Sequence, residues 1–423
     1  MRRREVFAAL AAGATLRPGN VAAMQGVILS ELNKPVDLNA IREKYQAGDP
    51  VNLSKLRAAR WSREQAFKYM ERFGVVKGVN YSPRAGSIFQ PFTEEARTRV
   101  FGGGDRPRIE FPLADFNEQI IQQELGWAQN VVGLNSVRVG VPIGEWQTNR
   151  DQFYKRFERF LDIAESKGIS VMPRLGATGV RDPASPAAQT GPGAAGGGAG
   201  AGRPLWDETW PKLKPIMKEF IQSLLKRYSQ DKRIILWNLH NEPAAALRAL
   251  VEYEFQWARE VETTQPFSVE WNAHDLSDVI TFHTYMRPGL SAPESAPARV
   301  DFLTELEWAR AWKRPMLCTE WLARPFKNTV ENVLPFFSRY RIGWYTWELV
   351  QSGRWLHPWN WPLTSPEPKN WFHGLVYPDG SPYSTEEILA IRDFKFQDPP
   401  PFVKTQSYWA YGDDVRDVPP PVS

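Results

Sequence analysis

The sequence predicts an α/β fold, a (β/α)8 TIM barrel with an N-terminal helical extension and a proline-rich C-terminal tail. Eight short apolar runs of strand length recur along the chain, and segments with helical periodicity separate most of them. Alternation of this kind is typical of parallel sheets, and eight such units close a barrel. The length of 423 residues fits one barrel with insertions.

The predicted strands are runs rich in apolar and β-branched residues. They lie at 75–80, 134–139, 169–173, 234–239, 267–271, 279–282, 315–319 and 342–347. The clearest predicted helices between them span 152–167, 210–228 and 245–263. The step from the fifth strand to the sixth, 272–278, is too short for a full helix, so we expect the fifth unit to be shortened.

Composition divides the chain around this barrel. Residues 24–70 form a predicted helical extension, in which Ser62 is placed to cap the last helix. The barrel itself is assigned to 71–398. A stretch rich in Gly, Ala and Pro at 183–204, after the third strand, cannot bury enough surface to order itself and predicts a flexible loop. Two runs of three prolines in 399–423 predict an extended tail.

Residues 1–23 resemble an export signal. An arginine triplet, Arg2-Arg3-Arg4, precedes an alanine-rich apolar stretch, which is typical of a twin-arginine signal, and Val21-Ala22-Ala23 offers a cleavage site. We therefore expect a periplasmic or secreted protein. No apolar stretch approaches the roughly 20 residues that a membrane helix needs, so no membrane span is predicted.

The charge balance and the cysteine content exclude several classes of function. Basic and acidic residues number 52 and 48, and the excess is not gathered into a block that could follow a nucleic-acid backbone, so we expect no nucleic-acid partner. The single cysteine, Cys318, excludes an intrachain disulfide and a zinc cluster of thiolates. The five histidines lack the spacing of a metal site, and we expect neither a metal nor another cofactor.

Two glutamates end the predicted strands four and seven. Glu242 lies in Asn241-Glu242-Pro243 after one apolar run, and Glu320 directly follows the run 315–319. The C-terminal ends of barrel strands meet at one face, where barrel enzymes have their active sites. Cleavage of an acetal with retention needs a proton donor and a carboxylate nucleophile. The pair predicts a retaining glycosidase in which Glu242 is the acid/base and Glu320 the nucleophile.

Other side chains at strand ends can support this chemistry. Arg138 and Tyr285 are candidates to donate hydrogen bonds that keep a nucleophilic carboxylate ionised. Trp347, at the end of strand eight, offers a flat face to the sugar ring that is cleaved. We expect Trp355 and Trp359, a little further along the chain, to extend the sugar path.

Cys318 lies two residues before Glu320 in the same strand. Alternate residues of a strand share a face, so Cys318 should point into the barrel like Glu320, one layer deeper. A small apolar thiol packs well there, and we expect it to be buried and inert.

Several segments resemble the clan A glycoside hydrolases, in particular the family 5-like barrels labelled cellulase or endo-1,4-beta-xylanase. The resemblance covers roughly residues 61–394, nearly the whole barrel. The similar motifs lie at strand ends and near the end of the barrel, at Gly78-Val79-Asn80-Tyr81, Asn135-Ser136-Val137-Arg138-Val139, Trp237-Asn238-Leu239-His240-Asn241-Glu242-Pro243, Phe282-His283-Thr284-Tyr285, Cys318-Thr319-Glu320-Trp321-Leu322-Ala323-Arg324 and Pro378-Asp379-Gly380-Ser381-Pro382-Tyr383.

The resemblance implies the same acid/base and nucleophile, and it makes Asn241 a partner of the sugar 2-hydroxyl. It further implies that Arg138, His283 and Tyr285 support the nucleophile and the reacting ring, and that Trp347 is the sugar platform. The chain departs from the family at His240, where tyrosine is usual. That residue lies at the presumed cleft and is a candidate substrate contact.

Two other functions remain open at this point. A transglycosylase on the same scaffold would share both glutamates and differ only in the acceptor that reaches the glycosyl intermediate. A non-catalytic carbohydrate-binding barrel would gain nothing from an acid and a nucleophile at catalytic spacing. Carbohydrate is the expected partner in every case, while the sugar, the linkage, internal or terminal cleavage and the oligomeric state are not specified by the sequence.

Overall fold

The eight predicted strands form a barrel in the computed structural model. The structure describes residues 38–83, 117–141, 143–175, 210–243, 247–270, 273–285, 306, 309–350 and 372–397. Within these residues all strand pairs are parallel, and the sheet order is β5-β4-β3-β2-β1-β8-β7-β6. The sheet curls into a nearly closed barrel with helices between its strands, so the predicted fold class is confirmed.

Each strand overlaps the apolar run that predicted it. The strands are β1 Lys77–Asn80, β2 Ser136–Gly140, β3 Ser170–Arg174, β4 Trp237–His240, β5 Phe267–Val269, β6 Ile280–His283, β7 Met316–Trp321 and β8 Gly343–Thr346.

Most of the helices pack around the sheet. The helices are α1 Leu38–Tyr45, α2 Leu53–Ala58, α3 Arg63–Glu71, α4 Glu118–Trp127, α5 Ile143–Thr148, α6 Arg150–Ser166, α7 Trp210–Arg227, α8 Arg248–Arg259, α9 Val330–Arg339 and α10 Thr385–Arg392. Helix α8 is buried on almost all sides. The predicted N-cap Ser62 accepts a hydrogen bond from the backbone N–H of Gln65 at 3.0 Å, which satisfies one free donor at the start of α3. None of the described helices is long and apolar enough to cross a membrane.

Strand residues alternate between two apolar cores. Val79 and Val137 face outward and pack with the helices, whereas Met172, Leu317 and Tyr345 face inward and form a separate cluster inside the barrel. Gly78 makes room for this inner cluster. A Cβ there would lie 2.3 Å from the Tyr345 ring, closer than any side chain can approach.

Helix α3 closes the N-terminal end of the barrel. Tyr69 and Met70 on this helix belong to the inner cluster, and the Tyr69 hydroxyl donates to the carbonyl oxygen of Ile234 at 3.3 Å, just before β4. Trp61 packs edge-on against Tyr69 with ring centroids 5.3 Å apart. The opposite end, where the strands terminate, is left for the polar residues described below.

Strands β5 and β6 meet differently from the other neighbours. No ladder joins them in the described part of the chain, and their connection holds only a single turn. Side chains replace the ladder. The N–H of Phe267 donates to Asp278 Oδ2 at 2.9 Å, the N–H of Asp278 donates to the Phe267 carbonyl at 2.9 Å, and the N–H of Val269 donates to Ser277 Oγ at 3.1 Å. We call this side-chain closure the β5–β6 seam.

Three predicted segments, the export signal 1–23, the insertion 183–204 and the tail 399–423, lie outside the described residues. Of the predicted helical extension 24–70, the structure describes residues from 38 onward, and they form α1, α2 and most of α3.

Candidate active site

Glu242 and Glu320 come together at the C-terminal end of the barrel. Glu320 is the penultimate residue of β7, and Glu242 lies two residues beyond β4 with a φ of 46°, in the left-handed region. One carboxylate oxygen of each glutamate and a ring nitrogen of His283 all lie within 4.8 Å of one another. The structure therefore gathers residues from β4, β6 and β7 into one cluster.

Both oxygens of Glu320 accept hydrogen bonds from buried donors. Arg138 Nη1 donates to Oε1 at 2.8 Å, and the Tyr285 hydroxyl donates to Oε2 at 2.7 Å. Burial and the charge of Glu320 raise the pKa of Tyr285 well above its ordinary value, so its hydroxyl keeps the proton that it donates. Charge-assisted bonds of this kind hold the carboxylate in one orientation.

Arg138 connects the ends of two further strands, β1 and β4. Its guanidinium donates to Asn80 Oδ1 on β1 at 2.8 Å and to Asn238 Oδ1 on β4 at 2.8 Å. It also donates to Asn241 Oδ1 at 2.5 Å. Because Arg138 takes the amide oxygen of Asn241, the amide nitrogen of that residue is the group left to donate to a ligand.

His283, the last residue of β6, contacts three carboxylates. Its Nδ1 lies 2.8 Å from Glu242 Oε1 and 3.5 Å from Glu320 Oε2, and its Nε2 lies 3.7 Å from Glu270 Oε1. Burial alone would lower the pKa of His283, but the charge of Glu320, the hydrogen bond with Glu242 and the charge of Glu270 outweigh it and raise the pKa to about 10. The ring is therefore an imidazolium at neutral pH, and its Nδ1 donates to Glu242 while Nε2 faces the charge of Glu270.

The same three groups, Glu242, His283 and Glu320, are close enough to share a cation. An imidazolium offers no lone pair to a metal, and the surrounding carboxylates favour that form of His283. The hydrogen bonds described above account for the cluster without an ion. The expected absence of a metal stays a prediction.

His240, at the end of β4, pairs with a carboxylate behind it. Its Nδ1 lies 3.1 Å from each oxygen of Glu254, which is buried on α8. Burial lowers the pKa of His240, but the charge and hydrogen bond of Glu254 outweigh that effect, and the net direction is upward. Glu254 thus fixes the orientation of the ring through Nδ1.

Trp347 follows β8 directly and is half-buried at the same end of the barrel as Glu320. The backbone N–H of Trp347 donates to the backbone carbonyl oxygen of Trp321 at 3.0 Å, and the peptide bond from Trp347 to Glu348 is cis. The predicted outer contacts Trp355 and Trp359 lie outside the described residues.

The sequence interpretation missed Glu270, directly after β5. Its carboxylate is fully buried, and Oε1 accepts from Asn238 Nδ2 at 2.9 Å and from Thr319 Oγ1 at 3.1 Å. The signal was present, because Glu270 lies at the C-terminal end of the predicted run 267–271, one residue before its last residue. Asn80 and Asn238 carried a weaker signal, since both are polar residues at inward positions of buried strands.

The prediction for Cys318 was right about burial and wrong about direction. The residue is fully buried but packs with Trp321 and Trp344 in the outer core, whereas its neighbour Leu317 faces inward. The pairing register of β7 shifts between Cys318 and Trp321. This irregularity breaks the alternation, so Glu320 and Cys318 point to opposite sides although they are two residues apart.

No protein-family model and no curated protein sequence matches the chain. Solved structures do. A GH5_18 structure from Streptomyces cattleya in complex with Manb1-4GlcNAc is 15% identical, with a TM-score of 0.50 over 78% of this chain and 84% of that chain. The likeness shows a shared fold.

Two further solved structures have lower TM-scores. The exo-beta-1,4-mannosidase Op5Man5 from Opitutaceae bacterium strain TAV5 is 17% identical, with a TM-score of 0.48 over 76% of this chain and 60% of that chain. Cel5A from Thermotoga maritima, solved with cellobiose, is 14% identical, with a TM-score of 0.42 over 77% of this chain and 98% of that chain.

Proposed function

We propose that the protein is a clan A, family 5-like glycoside hydrolase that cleaves β-linked glycosides with retention of configuration. The observation that carries the proposal is the pair Glu242 and Glu320, which end β4 and β7 with carboxylate oxygens within 4.8 Å of each other. Retaining glycosidases hold their carboxyl groups about 5–5.5 Å apart, and inverting ones about 6.5–9.5 Å apart, because a water molecule lies between them. The short separation supports retention.

Glu320 is the proposed nucleophile. Arg138 and Tyr285 donate to its two oxygens, which favours the carboxylate form and aims it at one position. One oxygen attacks the anomeric carbon, the bond from that carbon to the leaving oxygen breaks, and a covalent glycosyl ester forms.

Glu242 is the proposed acid/base. His283 donates to its Oε1, and Oε2 has no protein partner in the described part of the chain. Oε2 can therefore give its proton to the leaving oxygen in the first step. In the second step the same carboxylate takes a proton from water, which attacks the glycosyl ester and releases Glu320.

Asn241, His240 and Trp347 are the proposed sugar contacts. Arg138 orients the Asn241 amide so that its nitrogen donates, and Glu254 orients the His240 ring in the same way. Trp347 supplies a flat face for the reacting ring, since aromatic faces pack on the C–H faces of sugars. Trp355 and Trp359 remain predicted outer contacts.

The finer substrate proposal is a plant-type polysaccharide or oligosaccharide. Its support is the resemblance of the strand-end motifs to family 5 cellulases and xylanases. We also propose export, which the arginine triplet and the alanine-rich stretch in 1–23 support. Recovery of the full-length, unprocessed chain from the cytoplasm alone of an expressing bacterium would contradict export.

The alternatives are less well supported by the site. A non-catalytic binding barrel has no use for two facing carboxylates, whose burial is unfavourable. Transglycosylation uses the same two glutamates and differs in the acceptor, so products distinguish it from hydrolysis.

The test is product analysis with the intact protein. We expect hydrolysis of at least one aryl β-glycoside in a panel of gluco, manno, xylo and N-acetylglucosamine sugars, and proton NMR should show the β-anomer as the first product. Transfer to added sugar in place of water would indicate the transglycosylase. The α-anomer as first product would contradict retention, and activity equal to that of a Glu320→Gln blank across the panel would contradict the enzyme.

A further inference from the structure

Glu270 is a third carboxylate beneath the two proposed catalytic glutamates. Its Oε1 accepts hydrogen bonds from Asn238 at 2.9 Å, from Thr319 at 3.1 Å and from Arg138 at 3.4 Å, and lies 3.7 Å from His283 Nε2. Its Oε2 is buried and has no hydrogen-bond partner in the described part of the chain. The side chain is fully inaccessible to solvent.

Burial of this carboxylate needs an explanation. Buried polar atoms nearly always have partners, and a buried charge is unfavourable by several kcal/mol unless it is compensated. Burial would raise the pKa of Glu270, but the nearby charges of Arg138 and His283 outweigh it and hold the pKa well below the ordinary range. Glu270 is thus an anion, although a neutral glutamine would satisfy Asn238 and Thr319 equally well.

The charges that the proposed mechanism requires explain why a buried carboxylate lies at this position. Glu242 must carry a proton before the first step, so Glu320 is the only anion of the reacting pair. Arg138 and the imidazolium of His283 place two cations beside it. An uncompensated positive charge next to Glu242 favours loss of its proton. The anion of Glu270, in contact with both cations, offsets that charge.

Other charged groups face Glu270 from the neighbouring strands. Arg174 ends β3 and adds positive charge, and burial together with the charge of Arg138 lowers its pKa to about 10. His240 is paired with Glu254. Burial lowers the pKa of His274 to about 4, so that ring is neutral. Within the described residues, Glu270 is therefore the carboxylate outside the catalytic pair that lies against both Arg138 and His283.

We propose that Glu270 is a positioning residue whose negative charge keeps His283 cationic and keeps Glu242 protonated for its role as the acid. The inference rests on the proposed function and assigns a task to a residue that touches neither substrate nor the reacting atoms.

The first test is the pH dependence of kcat/KM. In Glu270→Gln, the anion that faces the two cations is lost, so the decline of kcat/KM at alkaline pH should begin about one pH unit lower. At a fixed pH on that decline, the rate should be roughly tenfold lower than in the unaltered protein. Glu270→Asp keeps the charge and should restore most of the limb. Glu252→Gln is the matched control, because Glu252 is equally buried and bound to Arg42 and Arg248, away from the site.

The leaving group separates this role from a structural one. An aryl glycoside with an alkoxy-substituted phenol needs protonation, whereas a dinitrophenyl glycoside does not. Glu270→Gln should depress kcat/KM of the first much more than that of the second at alkaline pH. Equal loss for both substrates at every pH would overturn the proposal.

The second test does not depend on activity. With ¹⁵N-labelled histidine, the His283 ring should titrate at lower pH in Glu270→Gln than in the unaltered protein, and His283→Gln identifies its signal among five histidines. Glu270→Met serves as a second neutral variant if the glutamine variant does not fold. An unchanged His283 titration in a folded neutral variant overturns the inference, even if the protein proves to hydrolyse no glycoside.

Discussion

The two ends of the barrel use inward-facing positions in opposite ways. At the N-terminal end, Met172, Leu317 and Tyr345 form an apolar cluster that α3 covers. At the C-terminal end, charged residues occupy the inward-facing positions, Arg138 on β2 and Glu320 on β7. Glu320 lies three residues beyond Leu317 in the same strand. The two ends are buried to a similar degree, since Leu317 is 2% exposed and Glu320 is 5% exposed.

The contrast shows which end stabilises the fold and which end performs chemistry. Apolar burial at the closed end contributes favourable free energy, whereas each buried charge at the open end has a desolvation penalty that its partners only partly repay. Substitutions at the open end should therefore change activity with little loss of stability. Substitutions at the closed end should do the reverse.

Glu320→Gln should have the largest effect. An amide cannot attack the anomeric carbon, so kcat should fall by about 10⁴-fold or more for every substrate, judged from the loss of a nucleophile in other enzymes. The protein should still fold, because the isosteric amide keeps an oxygen that can accept from Arg138, and Glu270 still compensates part of the Arg138 charge. Retention of more than a few per cent of the activity, measured against a background without protein, would mean that another group is the nucleophile.

Glu242→Ala should be selective. Substrates with poor leaving groups should lose about 10²–10⁴-fold in kcat/KM, while dinitrophenyl glycosides still form the glycosyl ester. Azide should accelerate breakdown of that ester and yield a β-glycosyl azide, detectable by mass spectrometry and NMR. A β-glycosyl azide from Glu320→Ala together with an α-glycosyl azide from Glu242→Ala would reverse the two roles, because azide that replaces a missing nucleophile inverts the anomeric carbon once.

Leu317→Ala tests the closed end. The substitution opens a cavity in the inner cluster and should lower the free energy of unfolding by about 2–5 kcal/mol, with kcat unchanged at temperatures where the protein is folded. Leu389→Ala is the matched control, because Leu389 is 54% exposed on α10 and should change stability by less than about 0.5 kcal/mol. A large loss of kcat in folded Leu317→Ala would show that the two ends are coupled.

His240→Ala should have the smallest effect. Loss of one hydrogen bond from Nε2 to the sugar corresponds to about 1–2 kcal/mol, so KM should rise by roughly tenfold with little change in kcat. His240→Gln keeps a donor and should recover part of the affinity. An unchanged KM for every substrate of the panel would remove His240 from the binding site.

Much of this contrast could be predicted from the sequence. The apolar runs located all eight strands, and the rule that strand ends meet at one face brought Glu242 and Glu320 together. The same rule applied to 267–271 would have found Glu270, the penultimate residue of that run. The rule predicts where a residue lies along a strand, but it does not predict the hydrogen bonds of its side chain.

Other features depend on long-range geometry. The register shift in β7 reverses the direction of Cys318 relative to Glu320, and period-two alternation carries no sign of it. The orientation of the Asn241 amide follows from Arg138, 103 residues away in the chain. A hydrogen-bond network across four strands cannot be derived from residue spacing, because it is decided by side-chain rotamers at the meeting point.

The β5–β6 seam has a consequence for the closing of the barrel. Asp278 and Phe267, which join there, are 11 positions apart, whereas Asn80 and Thr346, which join β1 to β8, are 266 positions apart. The conformational entropy lost on closing a loop grows with its length, so the seam loses the least of any strand junction. The three hydrogen bonds described at the seam, two of them to side chains, therefore suffice there, because the chain already keeps the two strands adjacent.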